Sequence, residues 1–143
     1  MKKWQSAAIV VLAWAVAGAA QAFTIKTESD NPLLTGDALT AATQQMATTV
    51  GNNIPDSPDV KVYVYSKVSP SKQGDGRYIF LHRIELRRAF NAGAPYPYAG
   101  WLPIESRERY GVGSADEVRA KLDEALRDFF TRMKQVDPVK GFK

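Results

Sequence analysis

An alternating run of valines constrains the fold of this chain more than any other feature. From Val60 to Val68 the sequence reads Val-Lys-Val-Tyr-Val-Tyr-Ser-Lys-Val, so apolar and polar side chains alternate. Because successive side chains of a strand point to opposite faces, this pattern predicts a half-buried β-strand. A turn-rich segment, 69–76, separates it from a second run, 77–90, whose even positions are mostly apolar. We expect the two runs to pair as an antiparallel hairpin.

The segment 101–112 predicts a third strand, placed at a sheet edge. Pro103 has no amide hydrogen to donate to a neighbouring strand, which favours an edge position. The apolar residues predicted to face the core are Leu102, Ile104, Tyr110 and Val112. The charged residues predicted to face the other way are Glu105, Arg107 and Arg109. The sequence leaves open whether this edge pairs with a second copy of the chain to form a homodimer.

Two amphipathic helices flank the strands in the sequence. The first carries apolar residues at helical spacing and ends at Gly51. Its stripe consists of Leu39, Ala42, Met46 and Val50. The second begins at a capping box formed by Ser114 and Glu117 and ends before Asp137. Its stripe consists of Val118, Leu122, Ala125, Phe129, Met133 and Val136.

The order of these elements predicts an α+β fold. Three consecutive strands joined by loops form an antiparallel meander, and two amphipathic helices can bury their stripes on one face of it. The sequence therefore predicts a two-layer sandwich of the form helix, three-stranded antiparallel meander, helix. The polar segment 23–31 is interpreted as a leading segment outside the sheet. Residues 23–143 are expected to form a single α+β domain.

The first 22 residues have the pattern of a secretory signal peptide. Positive charge at the start precedes the 14-residue apolar segment 7–20, and the small residues Ala20 and Ala22 form a cleavage site. A membrane span needs about 20 apolar residues, so cleavage of segment 1–22 is favoured over its retention as an anchor. The mature protein would then begin at Phe23, without stable insertion in the membrane. The expected location is periplasmic or secreted.

The charge balance does not favour a nucleic-acid partner. The net charge of the full chain is +4, and it falls to +2 once Lys2 and Lys3 are removed with the signal peptide. Global basicity of this size is too small to indicate nucleic-acid binding. An exported protein is also unsuited to that partner by its location.

Catalytic and metal chemistry find little support in the sequence. The chain has no cysteine and one histidine, so one chain cannot assemble a zinc or copper site from thiolate and imidazole ligands. His82 lies between Phe80 and Ile84 on the apolar side of the second strand, which predicts a hydrogen-bonded, partly buried side chain. We therefore predict no catalytic residues, no metal site and no cofactor, and favour a protein that is not an enzyme.

Two groups of residues are candidates for binding. The first is the loop 91–101, in which Tyr96, Tyr98 and Trp101 are either displayed for binding or packed against the sheet edge. The second is the charged sheet face, whose arginines can pair with anionic groups. Its predicted members are Arg83, Arg87, Arg107 and Arg109, beside Lys61, Tyr63, Tyr65 and Lys67. For this face we favour a solvated surface whose arginines and glutamates pair across strands, with ligand binding as the alternative.

These features predict a binding protein of the cell envelope. The favoured hypothesis is an exported, non-enzymatic module that contacts another envelope protein, with an inhibitor or immunity-type protein as one variant. The alternative is a protein that binds a glycan or a small anionic ligand. In that case the three aromatic residues of the loop would stack on sugar rings, while Arg107 or Arg109 would pair with an acidic group.

Overall fold

A computed structural model of the chain describes residues 23–91 and 99–136. The elements, in chain order, are β1 (Thr24–Asp30), α1 (Gly36–Val50), β2 (Val60–Pro70), β3 (Tyr78–Asn91), β4 (Ala99–Gly113) and α2 (Ala115–Met133). The predicted signal peptide, 1–22, and the predicted loop residues Tyr96 and Tyr98 lie outside the described residues. Within the described parts, no helix combines the length and the apolar character that crossing a membrane requires.

The four strands form one mixed sheet in the order β1-β2-β3-β4. Strands β2, β3 and β4 pair antiparallel with their neighbours, and β1 pairs parallel with β2. In the centre of the sheet Val62 pairs with Leu86 and Val64 pairs with Ile84. All four of these side chains are completely buried. The alternating valines therefore point into the core, as their spacing predicts.

The prediction of a three-stranded sheet is wrong, because residues 24–30 form a fourth strand. Strand β1 reads Thr-Ile-Lys-Thr-Glu-Ser-Asp and contains one apolar residue, Ile25. Its inward side is completed by hydroxyl groups that bond to α1: Thr27 Oγ1 lies 2.8 Å from Thr40 Oγ1. An edge strand with one covered side and satisfied polar groups can form without the apolar pattern that marks central strands.

Both helices pack on the same face of the sheet and share one core with it. Helix α1 begins at Thr35, whose side chain accepts a hydrogen bond from the Ala38 amide. The side chains that α1 buries are Leu39, Thr43 and Ala47. Thr43 tolerates burial because its hydroxyl donates to the Leu39 carbonyl oxygen at 2.8 Å. Of the predicted stripe, Leu39 is buried and Met46 and Val50 pack against the core, while Thr43 and Ala47 are buried without having been predicted.

Helix α2 supplies much of the core. Its capping box is confirmed: the Glu117 amide donates to Ser114 Oγ, and the Ser114 amide donates to the Glu117 carboxylate. The side chains that α2 buries are Val118, Leu122, Ala125, Leu126, Phe129, Phe130 and Met133. Phe129 and Phe130 contact edge to face, with ring centroids 5.1 Å apart. The α+β class and the amphipathic character of both helices thus agree with the sequence analysis.

The predicted faces of β4 are wrong for the residues that follow Ile104. Arg109 pairs with the buried His82 and so lies on the helix-covered side of the sheet, whereas Tyr110 lies on the opposite side and is 79% exposed. Tyr110 and Val112, which were predicted to face the core, lie on the side away from the helices and are exposed. Leu102 lies on the helix-covered side, as predicted, but it is 53% exposed. The residues predicted to face away but placed on the helix-covered side are Glu105, Arg107 and Arg109.

A β-bulge and the acidic surface of α2 account for this difference. Leu86 pairs with Glu105 and the next residue, Arg87, pairs with Pro103, so Ile104 is the extra residue of the bulge. A bulge reverses which positions of a strand share a face, and a prediction based on regular alternation of side chains does not include this reversal. Because β4 is an edge strand, Arg109 reaches the acidic residues Glu124 and Asp128 of α2 rather than the apolar core. Ile104 itself packs against the core, as predicted.

Candidate functional site

Both described helices cover one side of the sheet, and the opposite side, which we call the outer face, is the candidate site. Strands β1 to β3 contribute Lys26, Glu28, Lys61, Tyr63, Tyr65, Lys67, Arg83, Glu85 and Arg87. Strand β4 contributes Trp101, Glu108, Tyr110 and Val112. The predicted residues Arg83, Arg87 and Trp101 therefore share one face.

Glu85 is a buried carboxylate of the outer face that lies between two arginines. It is only 7% exposed although it lies on the side that the helices leave uncovered. Arg87 Nε lies 2.7 Å from its carboxylate and Arg83 Nε lies 4.0 Å away. Arg83 also pairs with Glu108 on β4. Arginine side chains lying over a glutamate explain how a charged residue becomes buried on an open sheet face.

Replacing Glu85 with glutamine should lower the free energy of unfolding by about 1 to 2 kcal/mol, because Arg83 and Arg87 would lose the carboxylate that lies between them. Urea unfolding measures the change. The matched control is Glu108→Gln, since Glu108 is 40% exposed and pairs with Arg83 alone. That variant should change stability by less than about 1 kcal/mol. Equal losses in the two variants would contradict the role given to Glu85.

Three cations lie together at one end of the outer face. Lys61 stands directly across from Arg87 on β3, and Lys26 lies on the adjacent strand β1. Burial, and then the charges of Lys26 and Arg87, lower the pKa of Lys61. Among the described residues neither lysine forms an ion pair with a carboxylate. We call Lys26, Lys61 and Arg87 the cation cluster.

Aromatic rings lie against this cluster. Lys61 Nζ is 3.9 Å from the centroid of the Trp101 ring, and Arg87 Cζ is 3.6 Å from the centroid of the Tyr63 ring. The Tyr63 hydroxyl donates a short hydrogen bond to the Glu28 carboxylate. Burial, followed by this bond and the Glu28 charge, raises the pKa of Tyr63 to about 12. The interleaving of cations and aromatic rings predicted for this face is therefore present.

The other end of the outer face is apolar. Ile79 pairs with Val112 and Leu81 pairs with Tyr110 across β3 and β4. Ile79 and Val112 are each 50% exposed, and Tyr110 is 79% exposed. We call Ile79, Leu81, Tyr110 and Val112 the apolar patch. The apolar patch could not be recognised as a surface from the sequence, because the alternation of β4 predicted that Tyr110 and Val112 face the core.

The predicted shared face is wrong for Arg107 and Arg109. Arg109 Nε lies 3.0 Å from Glu124 of α2, and its guanidinium group also binds Asp128. Lys121 and Arg109 lower the pKa of the Glu124 carboxyl through hydrogen bonds. Arg107 lies 2.9 Å from Glu105. Both guanidinium groups therefore have carboxylate partners on the helix-covered side of the sheet.

His82 is completely buried and has two hydrogen-bond partners, as its apolar context predicts. Nε2 lies 2.9 Å from the Val118 carbonyl oxygen, which can only accept, so Nε2 carries the proton. Nδ1 then accepts from the Ser66 hydroxyl at 2.9 Å, and Asn31 donates to Ser66 Oγ at 3.0 Å. Burial lowers the pKa of His82, and the bond to Val118 acts in the opposite direction. His82 thus links β3 to the first turn of α2.

A shallow depression of about 590 Å³ lies at the end of the sheet where β3 and β4 meet. Its lining includes Asp59, Arg88, Phe90 and Trp101. Among the described residues that line it, Asp59 and Arg88 are ionisable. Tyr96 and Tyr98 belong to the neighbouring part of the chain that lies outside the described residues, so their part in binding stays a prediction.

Comparison with known proteins gives no family for this chain. The sequence matches no protein-family model, and no curated protein matches it. Its function must therefore be argued from the outer face itself.

Proposed function

We propose that this protein is an exported, non-enzymatic module that binds another protein of the cell envelope through its outer face. The observation that carries the proposal is the apolar patch, because large apolar side chains lie exposed together on the face of the sheet that neither described helix covers. Contiguous exposed apolar residues bordered by charged ones are a common mark of protein interaction sites. Export is supported by the signal-peptide pattern of residues 1–22.

The shape of the outer face favours a protein over a small molecule. A sheet face is broad and nearly flat, whereas sites for small ligands are concave and enclose most of the ligand. The apolar patch also borders the edge of β4 that pairs with no other described strand, so a partner could combine side-chain contacts with backbone pairing. An inhibitor or immunity protein that acts on an envelope enzyme is one variant of this proposal.

Binding of a glycan or a small anionic ligand has less support. That hypothesis required Arg107 or Arg109 to pair with an acidic group of the ligand. Both arginines already pair with carboxylates of this chain, and both lie on the helix-covered side of the sheet, away from Trp101. A ligand would have to break these ion pairs to use them.

The proposal is tested by replacing Tyr110 and Val112 together with threonine and capturing partners from an envelope extract. Threonine is β-branched and therefore suits a strand at both positions, while it removes much of the exposed apolar area. We expect the double variant to lose at least about tenfold in affinity for the captured partner, because exposed aromatic anchors dominate binding energies. Its thermal unfolding should remain close to that of the parent.

The matched control is Leu102→Thr, since Leu102 is also on β4 and is 53% exposed but lies outside the apolar patch. This variant should retain the partner. Retention of the partner by the double variant would contradict the proposal. A parent protein that sediments as a dimer, with the double variant monomeric, would instead assign the patch to a homodimer interface formed along β4.

A further inference from the structure

We infer that the cation cluster of Lys26, Lys61 and Arg87 binds an acidic segment, rich in aspartate or glutamate, of the protein partner. The inference rests on the proposed function, since it names the chemistry of the partner surface that meets this face. It concerns the end of the outer face opposite to the apolar patch.

The cation cluster places like charges next to each other in the sheet. Lys61 and Arg87 occupy directly opposite positions on β2 and β3. Like charges at such positions destabilise a sheet, while opposite charges stabilise it. Lys26 adds a third positive charge beside Lys61, and both lysines lack an ion-pair partner among the described residues. The ion pair of Arg87 with Glu85 and the two aromatic rings offset part of this repulsion, and an anionic partner would relieve the part that remains on the lysines.

The carboxylates near the cation cluster already bind other side chains of this protein. Glu85 binds Arg87 at 2.7 Å and lies close to Arg83, and Glu28 accepts a hydrogen bond from Tyr63. Neither pairs with Lys26 or Lys61. The cluster therefore keeps positive charge that the surrounding carboxylates do not neutralise.

Aromatic rings hold two cations of the cluster in place. Lys61 lies 3.9 Å from the Trp101 ring, and Arg87 lies 3.6 Å from the Tyr63 ring. Because these rings hold the two cationic side chains in place, ligand binding loses little side-chain entropy at Lys61 and Arg87. Cations spread over three adjacent strands suit several carboxylates in a row better than one small anion. An acidic peptide segment has this form.

The experiment measures binding of a capped hexaglutamate peptide by Trp101 fluorescence, in a chain with Trp4→Phe and Trp14→Phe so that Trp101 is the single tryptophan. We expect a saturable change with hexaglutamate, none with capped hexaglutamine, and weaker binding as salt is raised. Lys61→Gln should weaken binding roughly three- to tenfold. Lys61→Arg should restore it.

The matched control is Lys67→Gln, because Lys67 is an exposed lysine on the same strand and the same face but lies away from the cluster. Equal weakening by Lys67→Gln and Lys61→Gln would overturn the inference. So would citrate binding as tightly as the peptide, since a free anion would then suffice. Unfolding curves of both variants show that each one folds.

The same measurements separate this inference from the proposed function. Capture of an envelope partner through the apolar patch, with no binding of hexaglutamate, would overturn the inference and leave the proposed function standing. Specific hexaglutamate binding that depends on Lys61, with no partner captured through the patch, would support the cluster and contradict the proposed function.

Discussion

Replacing Phe129 with alanine is expected to lower the free energy of unfolding by about 3 to 5 kcal/mol. Phe129 is completely buried in α2 and contacts the Phe130 ring edge to face. The substitution removes the whole ring from the core that both helices share with β2 and β3, and it leaves a cavity that the surrounding side chains fill only in part. A loss of this size is a large share of the stability of a small domain.

Urea unfolding followed by circular dichroism gives the change. The matched control is Thr131→Ala on the same helix, because Thr131 is exposed and the replacement favours helix formation. That variant should stay within about 0.5 kcal/mol of the parent. Leu126→Ala, another completely buried position of α2, should cost about 2 to 5 kcal/mol. Unchanged stability of Phe129→Ala would show that α2 does not bury this face.

Mild acid should destabilise the folded protein through His82. Burial holds the pKa of His82 below the ordinary value of 6.5. Between pH 6.5 and this lowered pKa the unfolded chain binds the proton and the folded chain does not. Stability is therefore full above about pH 6.5 and falls as the pH decreases, by up to roughly a tenfold change in the folding equilibrium constant per pH unit.

This effect can be assigned to one side chain because His82 is the only histidine of the chain. Urea midpoints measured from pH 7.5 to pH 5.5 should be constant at the upper end and then decline. In His82→Gln, which keeps an amide donor for the Val118 carbonyl, the decline should be absent. An NMR titration gives a second measure: an imidazole resonance that titrates at or above pH 6.5 in the folded protein would refute the prediction.

The central elements could be predicted from sequence because each obeys a simple period. Strand β2 alternates between a covered and an open side, and α2 has an apolar stripe with a capping box, so local pattern and tertiary environment agree. Strand β1 could not be found in this way. It is stabilised by pairing with β2 and by hydroxyl contacts to α1, and neither leaves an apolar period in its seven residues.

The candidate site was predictable on β2, on β3 and at Trp101, but not on the part of β4 that follows Ile104. Arg83 and Arg87 lie on the outer face because β3 continues its alternation without interruption through both residues. On β4 the bulge at Ile104 and the carboxylates of α2 decide the orientation, and both depend on residues distant in sequence. The burial of Glu85 also depends on the folded structure, because the side chains of Arg83 and Arg87 cover Glu85 only once the sheet has formed.

The parallel pairing of β1 with β2 also sets an order of assembly. Thr24 meets Lys61, so α1 and the turn that follows it must be synthesised before β1 has a partner. A strand that emerges early and waits exposes unpaired amide and carbonyl groups to other nascent chains. The polar composition of β1, with Lys26, Glu28 and Asp30 on one side, limits such encounters during translation. The polar composition of β1 therefore explains why no apolar pattern predicts this strand, and it also protects the unfinished polypeptide from aggregation.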